Sequence, residues 1–260
     1  MLTEERWQHI LNILHSNGIV SVSELSKRLN TTEVTIRRDL SKLEQEGRLK
    51  RTHGGAIRND HSSGTYFEPL FSQLEIANAE LKTQITRKAF DLVSDSTAII
   101  IDSSSTAKQL CQLIRMNPPS GLMVVTNSVR VVLDLSICKS VEVILIGGQV
   151  RSNLISCTGP LTELLLDQLR VDKAFIGING IDFKDNVLTT PNISEAAIKT
   201  SMMKCAKEII ILADHTKFNK TYLCKVCNVT DVDTVITDNQ VDPAIVEEAK
   251  DCGVSLLIAD

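Results

Sequence analysis

The sequence predicts an α/β protein in which an N-terminal winged helix-turn-helix domain precedes a larger domain built on a mostly parallel β-sheet. A helix-turn-helix pattern occupies about residues 20–39, and a short basic hairpin follows it. After residue 96, aliphatic runs alternate with helical patterns. The 260 residues are also enough for two domains. The predicted boundaries are 1–58 for the first domain, 59–72 for a linker and 73–260 for the second domain.

The first domain opens with a helix predicted over residues 4–17. Its apolar side chains recur at the i, i+3, i+4, i+7 spacing of one helical face, and they are Trp7, Ile10, Leu11 and Leu14. The Ser21–Glu24 stretch has the form of a capping box that begins the next helix. Residues 30–32 (Asn-Thr-Thr) favour a turn and the start of a third helix, which places Ile36, Leu40 and Leu43 on one buried face.

The opposite face of this third helix carries groups that can contact DNA. Arginine reads guanine in the major groove, and lysine or threonine can hold phosphates. Val34 also projects outward, where it would suit contact with a thymine methyl group; the alternative is that it packs on the preceding helix. The hairpin at 49–55 is basic and contains a glycine pair, which is typical of a wing that contacts the DNA backbone. The candidate DNA-binding residues are Thr32, Glu33, Val34, Thr35, Arg37, Arg38, Ser41, Lys42, Lys50, Arg51 and His53.

The stretch from Thr35 to Ala56, TIRRDLSKLEQEGRLKRTHGGA, resembles the signature of the DeoR-type bacterial transcription regulators. This resemblance implies a winged helix-turn-helix head, usually of a repressor, joined to a domain that senses sugar phosphates. Segments of the second domain resemble the same family, among them DSSST at 102–106, VTNS at 125–128 and TTPNISEAAIK at 189–199. One departure is that many family members have glycine at the position of Ser104. A serine there adds a hydroxyl and restricts the backbone, so we expect a different effector.

Charge is distributed unevenly between the two predicted domains. Residues 1–58 hold ten Lys/Arg and seven Asp/Glu, a net charge of +3, whereas the remainder holds 18 and 25, a net charge of −7, which together give the −4 of the whole chain. The attraction to phosphate is therefore expected in the first domain.

Cysteine usage and hydropathy predict a cytoplasmic protein. The chain has seven cysteines, an odd number that suits thiols in a reducing compartment. It has no apolar run of membrane-spanning length and no signal peptide. Cys224 and Cys227 form a C-x-x-C pair with too few nearby ligands for zinc. We therefore expect no metal, no cofactor and no membrane partner.

Seven aliphatic runs in the second domain predict strands of a sheet that is buried on both faces. They lie at 98–101, 122–125, 141–146, 174–176, 209–212, 235–236 and 254–258, and residues 67–92 are predicted to be mostly helical. Ligands of such sheets bind beyond the carboxyl ends of the strands. The loops at 102–106, 126–128 and 147–151 are rich in hydroxyl groups and glycine, and two of them lead directly into a predicted helix, as in a phosphate cradle.

A phosphorylated sugar is the expected ligand of these loops. The segments that resemble the family extend the site to further carboxylates and lysines. The candidate effector-binding residues are Asp102, Ser103, Ser104, Ser105, Thr106, Thr126, Asn127, Ser128, Gly147, Gly148, Arg151, Asp182, Glu195, Lys199 and Lys217. Serine or threonine before a helix is more often only an N-cap.

Two readings of the second domain remain open from the sequence. The first is a regulator, a homo-oligomeric repressor of a carbohydrate catabolism operon that binds double-stranded operator DNA under the control of a sugar phosphate. The alternative is a sugar-phosphate isomerase or deaminase-like enzyme with an accessory DNA-binding head. For that enzyme Asp182, Glu195 and Asp214 are candidate bases, with Lys199 and Lys217 as cations. We expect no turnover and no catalytic residue. The sequence predicts neither the operator, nor the sugar, nor whether the sugar phosphate strengthens or weakens operator binding.

Overall fold

The computed structural model describes residues 3–17, 19–46, 48–52, 54–58, 68–69 and 71–260. The chain divides into two compact units. The first comprises residues 1–63 and 72–74, and the second comprises residues 64–71 and 75–260.

The first unit is a three-helix domain with a small antiparallel sheet. Its elements are α1 (Thr3–Asn17), β1 (Ile19–Ser21), α2 (Val22–Arg28), α3 (Glu33–Gln45), β2 (Leu49–Thr52) and β3 (Gly55–Arg58). Strand β3 lies between β1 and β2, so the predicted two-stranded wing has a third strand. A Cβ atom on Gly55 would lie 1.8 Å from the carbonyl oxygen of Val20, so this close approach of β1 requires glycine.

The caps and the core of this unit follow the sequence pattern. Ser21 Oγ accepts from the Glu24 N–H at 3.1 Å, and Thr32 Oγ1 accepts from the Thr35 N–H at 3.3 Å. Each hydroxyl therefore caps the N-terminus of a helix. The core is formed by apolar side chains of the three helices, including Ile10, Leu14, Leu25, Ile36, Leu40 and Leu43. The wing is closed onto this core by Leu49 and Ala56.

The second unit alternates helices and strands as predicted. Helix α4 (Phe71–Ile76) contains residues of both units. The other helices of the second unit are α5 (Ala79–Phe90), α6 (Ser105–Met116), α7 (Val129–Leu135), α8 (Pro160–Asp167), α9 (Ile193–Lys204) and α10 (Pro243–Asp251), with short 3₁₀ helices at His215–Lys217 and Val229–Asp231. Its strands are β4 (Ala98–Ile101), β5 (Leu122–Thr126), β6 (Val141–Leu145), β7 (Gln149–Arg151), β8 (Ser156–Thr158), β9 (Val171–Gly177), β10 (Gly180–Asp182), β11 (Val187–Thr190), β12 (Ala206–Leu212), β13 (Cys224–Cys227), β14 (Thr234–Asp238) and β15 (Ser255–Ala259).

Seven of these strands form one parallel sheet in the order β15-β14-β12-β9-β4-β5-β6. The seven predicted aliphatic runs are its seven strands, which confirms the predicted fold class. The chain runs from β4 to β6 in one direction and then returns to place β9 on the other side of β4. The pair β4–β9 is therefore the topological switch point, where a crevice opens beyond the carboxyl ends of the strands.

The sheet is buried on both faces because successive side chains point in opposite directions. Ile99 and Ile101 pack with helices α5, α6 and α7, whereas Ile100 packs with the core that contains α8, α9 and α10. Phe175 belongs to the first of these cores and Ile176 to the second. This arrangement explains the uninterrupted aliphatic runs in the sequence.

Several details differ from the expected pattern. The helical stretch predicted over 67–92 is two helices, because Asn78 adopts φ +54° and interrupts it. The hairpin β7–β8 and the three-stranded sheet β10-β11-β13 were not predicted. Residues 59–67 of the predicted linker lie outside the described residues, whereas Glu68, Pro69 and Phe71 belong to the second unit and bond to Arg151 and Asn153.

Candidate DNA interface and ligand site

Helix α3 presents a polar face with one apolar residue at its centre. The side chain of Val34 is 77% exposed, so the alternative that it packs on the preceding helix is wrong. Arg38 and Lys42 are also exposed, and Arg37 pairs with Glu33 one turn earlier at 3.1 Å. An exposed valine beside exposed basic side chains is suited to contact a thymine methyl group at the edge of a base pair.

The wing is held against α3 by hydrogen bonds of Arg51. Its Nη1 donates to Ser41 Oγ at 2.8 Å, and its backbone N–H donates to Glu44 Oε1 at 2.8 Å. Ser41 in turn donates to the Arg37 carbonyl at 2.9 Å. Ser41 and Arg51 therefore orient the wing on the helix, whereas Lys50 remains exposed. His53 lies outside the described residues.

A buried carboxylate behind this face was missed by the sequence reasoning. Asp39 is 4% exposed and accepts from Arg6 Nε at 2.5 Å, Arg6 Nη2 at 3.1 Å and Trp7 Nε1 at 2.9 Å. The hydrogen bond that Arg6 donates to Asp39 raises the pKa of Arg6, although burial opposes it. These bonds fasten α1 to the back of α3. A charged residue on an otherwise apolar helix face was the only sequence signal.

In the second unit, the first carboxylate of the predicted ligand site lies at the switch point. Asp102 follows β4 and is 1% exposed. It accepts from the Gly177 N–H at 3.1 Å, from the Ser104 N–H at 3.0 Å and from Lys199 Nζ. Burial opposes the charge of Lys199, but Asp102 and Glu195 outweigh it, so the pKa of Lys199 is raised. Lys199 is therefore a fixed cation of this crevice.

The second carboxylate, Glu195, lies in the first turn of α9 and is 2% exposed. It accepts from Arg151 Nη1 at 2.7 Å, from Ser156 Oγ at 3.2 Å and from Ser103 Oγ at 3.4 Å. Arg151 also donates to Glu68. Burial opposes the charge of Arg151, yet its two carboxylate partners outweigh that effect and raise its pKa. Ser156 and Glu68 are members of this cluster that the sequence reasoning did not select.

The hydroxyl-rich loops contain both caps and unsatisfied groups. Ser104 Oγ caps α6 through the Ala107 N–H, Ser128 Oγ caps α7 through the Val131 N–H, and Thr126 Oγ1 accepts from the Ser128 N–H. Ser105 and Thr106 are buried in the first turn of α6. Asn127 is 1% exposed, and its Oδ1 has no hydrogen-bond partner among the described residues. An orphaned buried carbonyl of this kind calls for a donor from outside the protein.

The serine at position 104, where many DeoR-type regulators have glycine, fits the local backbone. Ser104 adopts φ −70° and ψ 155°, an ordinary conformation for an L-residue, so glycine is not required there. Its side chain fills the space beside Gly177, where a Cβ atom would lie 2.3 Å from Ser104 Oγ. The two positions therefore share one small volume at the switch point.

The other predicted residues have different partners from those of Asp102, Arg151, Glu195 and Lys199 among the described residues. Gly147 and Gly148 contact Thr162 of α8. Asp182 accepts from the Asp185 N–H within the β10–β11 turn. Lys217 lies 4.0 Å from Asp214, beside Lys82.

Two further features bear on the classes of ligand and partner. Among the described residues, no group of three or more His, Cys, Asp or Glu side chains is placed to hold a metal ion. Within the same ranges, every helix is too short or too polar to cross a bilayer.

Comparison with known proteins identifies the family of this chain. Residues 6–62 match the model of the DeoR-like helix-turn-helix domain, and residues 77–239 match the model of the DeoR C-terminal sensor domain. The chain belongs to the DeoR family of transcriptional regulators. The family resemblance predicted from the sequence is thereby confirmed.

Relatives within the DeoR family match almost the whole chain. An uncharacterized HTH-type transcriptional regulator of Bacillus subtilis, YulB, is 35% identical over 96% of this chain and 95% of its own. The regulator GolR of Listeria innocua is 32% identical over the full length of both chains. The lactose phosphotransferase system repressor of Lactococcus lactis is 32% identical over 95% of this chain and 96% of its own. These regulators decide against the enzyme alternative.

Solved structures of ribose 5-phosphate isomerase are similar to the sensor domain only at a distance. The enzyme from Methanocaldococcus jannaschii aligns over 55% of both chains with 19% identity and a TM-score of 0.41. A likeness of that strength carries no argument about function.

Proposed function

We propose that this DeoR-family regulator represses a carbohydrate catabolism operon by binding double-stranded operator DNA through α3 and the wing. A phosphorylated sugar at the carboxyl ends of β4 and β9 modulates that binding. Relatives whose names refer to the use of a sugar support the choice of pathway class. One is the lactose phosphotransferase system repressor of Lactococcus lactis, and another is the L-fucose operon activator of Haemophilus influenzae, 33% identical over 88% of this chain.

The observation that carries the ligand half of the proposal is the meeting of four charged side chains at the switch point. Asp102, Arg151 and the α9 residues Glu195 and Lys199 come from three distant parts of the sequence and form a linked cluster. Carboxylates accept hydrogen bonds from sugar hydroxyls, and a guanidinium pairs with phosphoryl oxygens in a bidentate manner. The cluster therefore offers both kinds of contact that a sugar phosphate needs.

The DNA half of the proposal requires more than one copy of the chain. A single recognition helix contacts few base pairs, and specific operators are bound more tightly than one such contact allows. A homo-oligomer on repeated half-sites meets this need with closed symmetry.

Fluorescence anisotropy on DNA from upstream of the gene and of neighbouring operons tests the proposal. We expect tight, sequence-selective binding, and we expect one member of a panel of sugar phosphates to shift the dissociation constant. The matched variant is Arg151→Ala, which should lose direct binding of that sugar phosphate in calorimetry. Selective DNA binding that no sugar phosphate shifts would remove the effector half and leave the DNA half standing.

A further inference from the structure

A short segment before α4 is fastened across the candidate ligand site. We call Glu68, Pro69 and Phe71 the strap. Glu68 accepts from Arg151, the Pro69 carbonyl accepts from Asn153 Nδ2 at 3.1 Å, and the Phe71 N–H donates to Asn153 Oδ1 at 3.1 Å. Arg151 ends β7, and Asn153 follows two residues later. One of the two anchors of the strap is therefore the arginine that we predicted to bind phosphate.

The aromatic ring of the strap lies beside cations of helices α6 and α7. Phe71 is 2% exposed, and the Arg130 guanidinium lies 4.2 Å from its ring centroid. Lys108 Nζ lies 5.8 Å from the same centroid and pairs with Glu75. Arg130 is in α7, which follows β5, and Lys108 is in α6, which follows β4. The strap thus contacts α6 and α7, which follow β4 and β5, and the β7–Asn153 segment, which follows β6.

The charges around Arg151 are unbalanced in favour of anions. One guanidinium is shared by two carboxylates, and the side-chain exposures are 16% for Arg151, 19% for Glu68 and 3% for Glu195. Glu195 is deeply buried and has two further hydroxyl donors, whereas Glu68 has the more exposed carboxylate. A phosphoryl group carries more charge than a carboxylate and pairs with arginine at least as well. Of the two carboxylates, Glu68 is the one that an incoming phosphoryl group can replace.

We propose that Glu68 is an internal anion that occupies the phosphoryl position of the effector, and that the effector releases the strap by displacing it. This inference rests on the proposed sugar-phosphate site and names how that site is regulated. The strap lies within the predicted linker at 59–72, so its release changes the segment that joins the DNA-reading unit to the sensor unit. A ligand that replaces an internal contact necessarily favours the state in which the contact is broken.

The competition has a signature that separates it from simple binding. Glu68→Gln removes the competing charge but leaves the phosphoryl position intact, so the affinity for inorganic phosphate or a sugar phosphate should rise by about tenfold. Arg151→Ala removes the partner of both anions, so that affinity should be lost. Both variants free the strap, and both should shift operator affinity without ligand toward the value of the ligand-saturated wild type.

The experiment uses the full chain with inorganic phosphate and the sugar-phosphate panel as probes. Calorimetry measures affinity, and hydrogen exchange of the peptide that covers residues 68–76 measures release of the strap. Glu80→Gln is the matched control, since Glu80 is an exposed glutamate of α5 outside the site. We expect faster exchange in Glu68→Gln and in the ligand-bound wild type, and no change in Glu80→Gln.

The outcomes distinguish the strap from the site. If wild type binds a sugar phosphate, Arg151→Ala abolishes that binding, and Glu68→Gln neither tightens it nor speeds exchange, the strap proposal is overturned while the proposed function stands. If neither wild type nor Glu68→Gln binds any probe, both proposals fail together. Wild-type exchange under ligand tests the strap even if a variant does not fold.

Discussion

Single side chains in this protein act through partners that are distant in sequence. Asp39 is the example in the DNA-reading unit, because its carboxylate joins Arg6 and Trp7 of α1 to the helix that presents Arg38. Removing one member of a buried hydrogen-bonded pair leaves the other charge without compensation. The position of the recognition helix therefore depends on a residue that does not face DNA.

Asp39→Ala is expected to destabilise the DNA-reading unit by about 2 kcal/mol, since Arg6 and the Trp7 N–H lose their acceptor. Trp7 is the single tryptophan of the chain, so its fluorescence during urea unfolding reports this unit. Arg6→Ala and the double variant complete a cycle, and additive effects in that cycle would contradict the coupling.

Lys82 is a buried cation whose ionisation opposes folding. Burial and the charge of Lys217 lower the pKa of Lys82 to about 8 from 10.5. Below the pKa of the folded state, the amine is charged in both the folded and the unfolded state. The folded state then bears the full free-energy cost of burying that charge. Between the pKa values of the folded and the unfolded state, the unfolded chain holds more protons than the folded chain. The cost of the buried charge is therefore removed as the pH rises.

Wild type should therefore gain stability relative to Lys82→Met as the pH rises from 7 to 9, by about 1 kcal/mol. Denaturant unfolding of the two proteins at several pH values in this range measures the difference. The difference is compared rather than the absolute stability because the other groups titrate in both proteins. A constant difference would show that Lys82 keeps its ordinary pKa, and a falling difference would show that folding raises that pKa.

At the scale of elements, the start of α6 and the end of β9 share the space of one side chain. Ser104 caps α6, and a Cβ atom on Gly177 would lie 2.4 Å from Ser104 Cβ. The next nearest contact of that Cβ atom is Asp102 Oδ1 at 3.9 Å, an ordinary separation. The switch point can therefore hold a side chain on one of the two elements but not on both.

Gly177→Ala is expected to destabilise the sensor unit by about 1–3 kcal/mol, because the added methyl group overlaps Ser104. Adding Ser104→Gly should restore most of that loss, since glycine is nearly as good an N-cap as serine and frees the space. Thermal unfolding of the two single variants and the double variant tests the pair. Equal stability of Gly177→Ala with and without Ser104→Gly would mean that the strain lies elsewhere.

At the scale of the whole molecule, net charge differs in sign between the two parts of the sequence. Residues 1–58 carry a net charge of +3 and the remainder carries −7, so only the first part attracts a polyanion. Within it, α3 and the wing present different kinds of cation. Arg38 lies on the exposed face of α3, and Lys50 lies on the exposed side of β2.

Arg38→Ala is expected to weaken operator binding by about 1–3 kcal/mol and to relax sequence preference, as for a residue that reads bases. Lys50→Ala should weaken binding to all DNA sequences alike and reduce the salt-dependence slope by about one, as for a phosphate contact. Arg115→Ala, an exposed arginine of α6, is the control and should change neither. Anisotropy titrations on operator and scrambled DNA over a range of salt concentrations measure both quantities.

Local patterns in the sequence determined most of the architecture of this DeoR-family regulator. Helical periodicity, N-cap residues at Ser21 and Thr32, and seven aliphatic runs depend on neighbours within a turn or a strand, so they are readable without the fold. The DNA-reading face of α3 follows from the same periodicity, and the exposed Val34 agrees with it. The order of the strands, by contrast, has no local signature.

Only the tertiary structure decided which charged groups meet. Lys199 bonds to Asp102 across 97 positions, Arg151 to Glu68 across 83, and Arg6 to Asp39 across 33. The first two pairs form because the crossover to β9 and the return of the segment before α4 bring distant side chains to one crevice, and the third forms because α1 packs behind α3. Asp182 and Lys217 follow β9 and β12 at the same carboxyl edge of the sheet, but Asp182 bonds to the Asp185 N–H and Lys217 pairs with Asp214. Residue type alone does not say which partner a side chain at that edge meets.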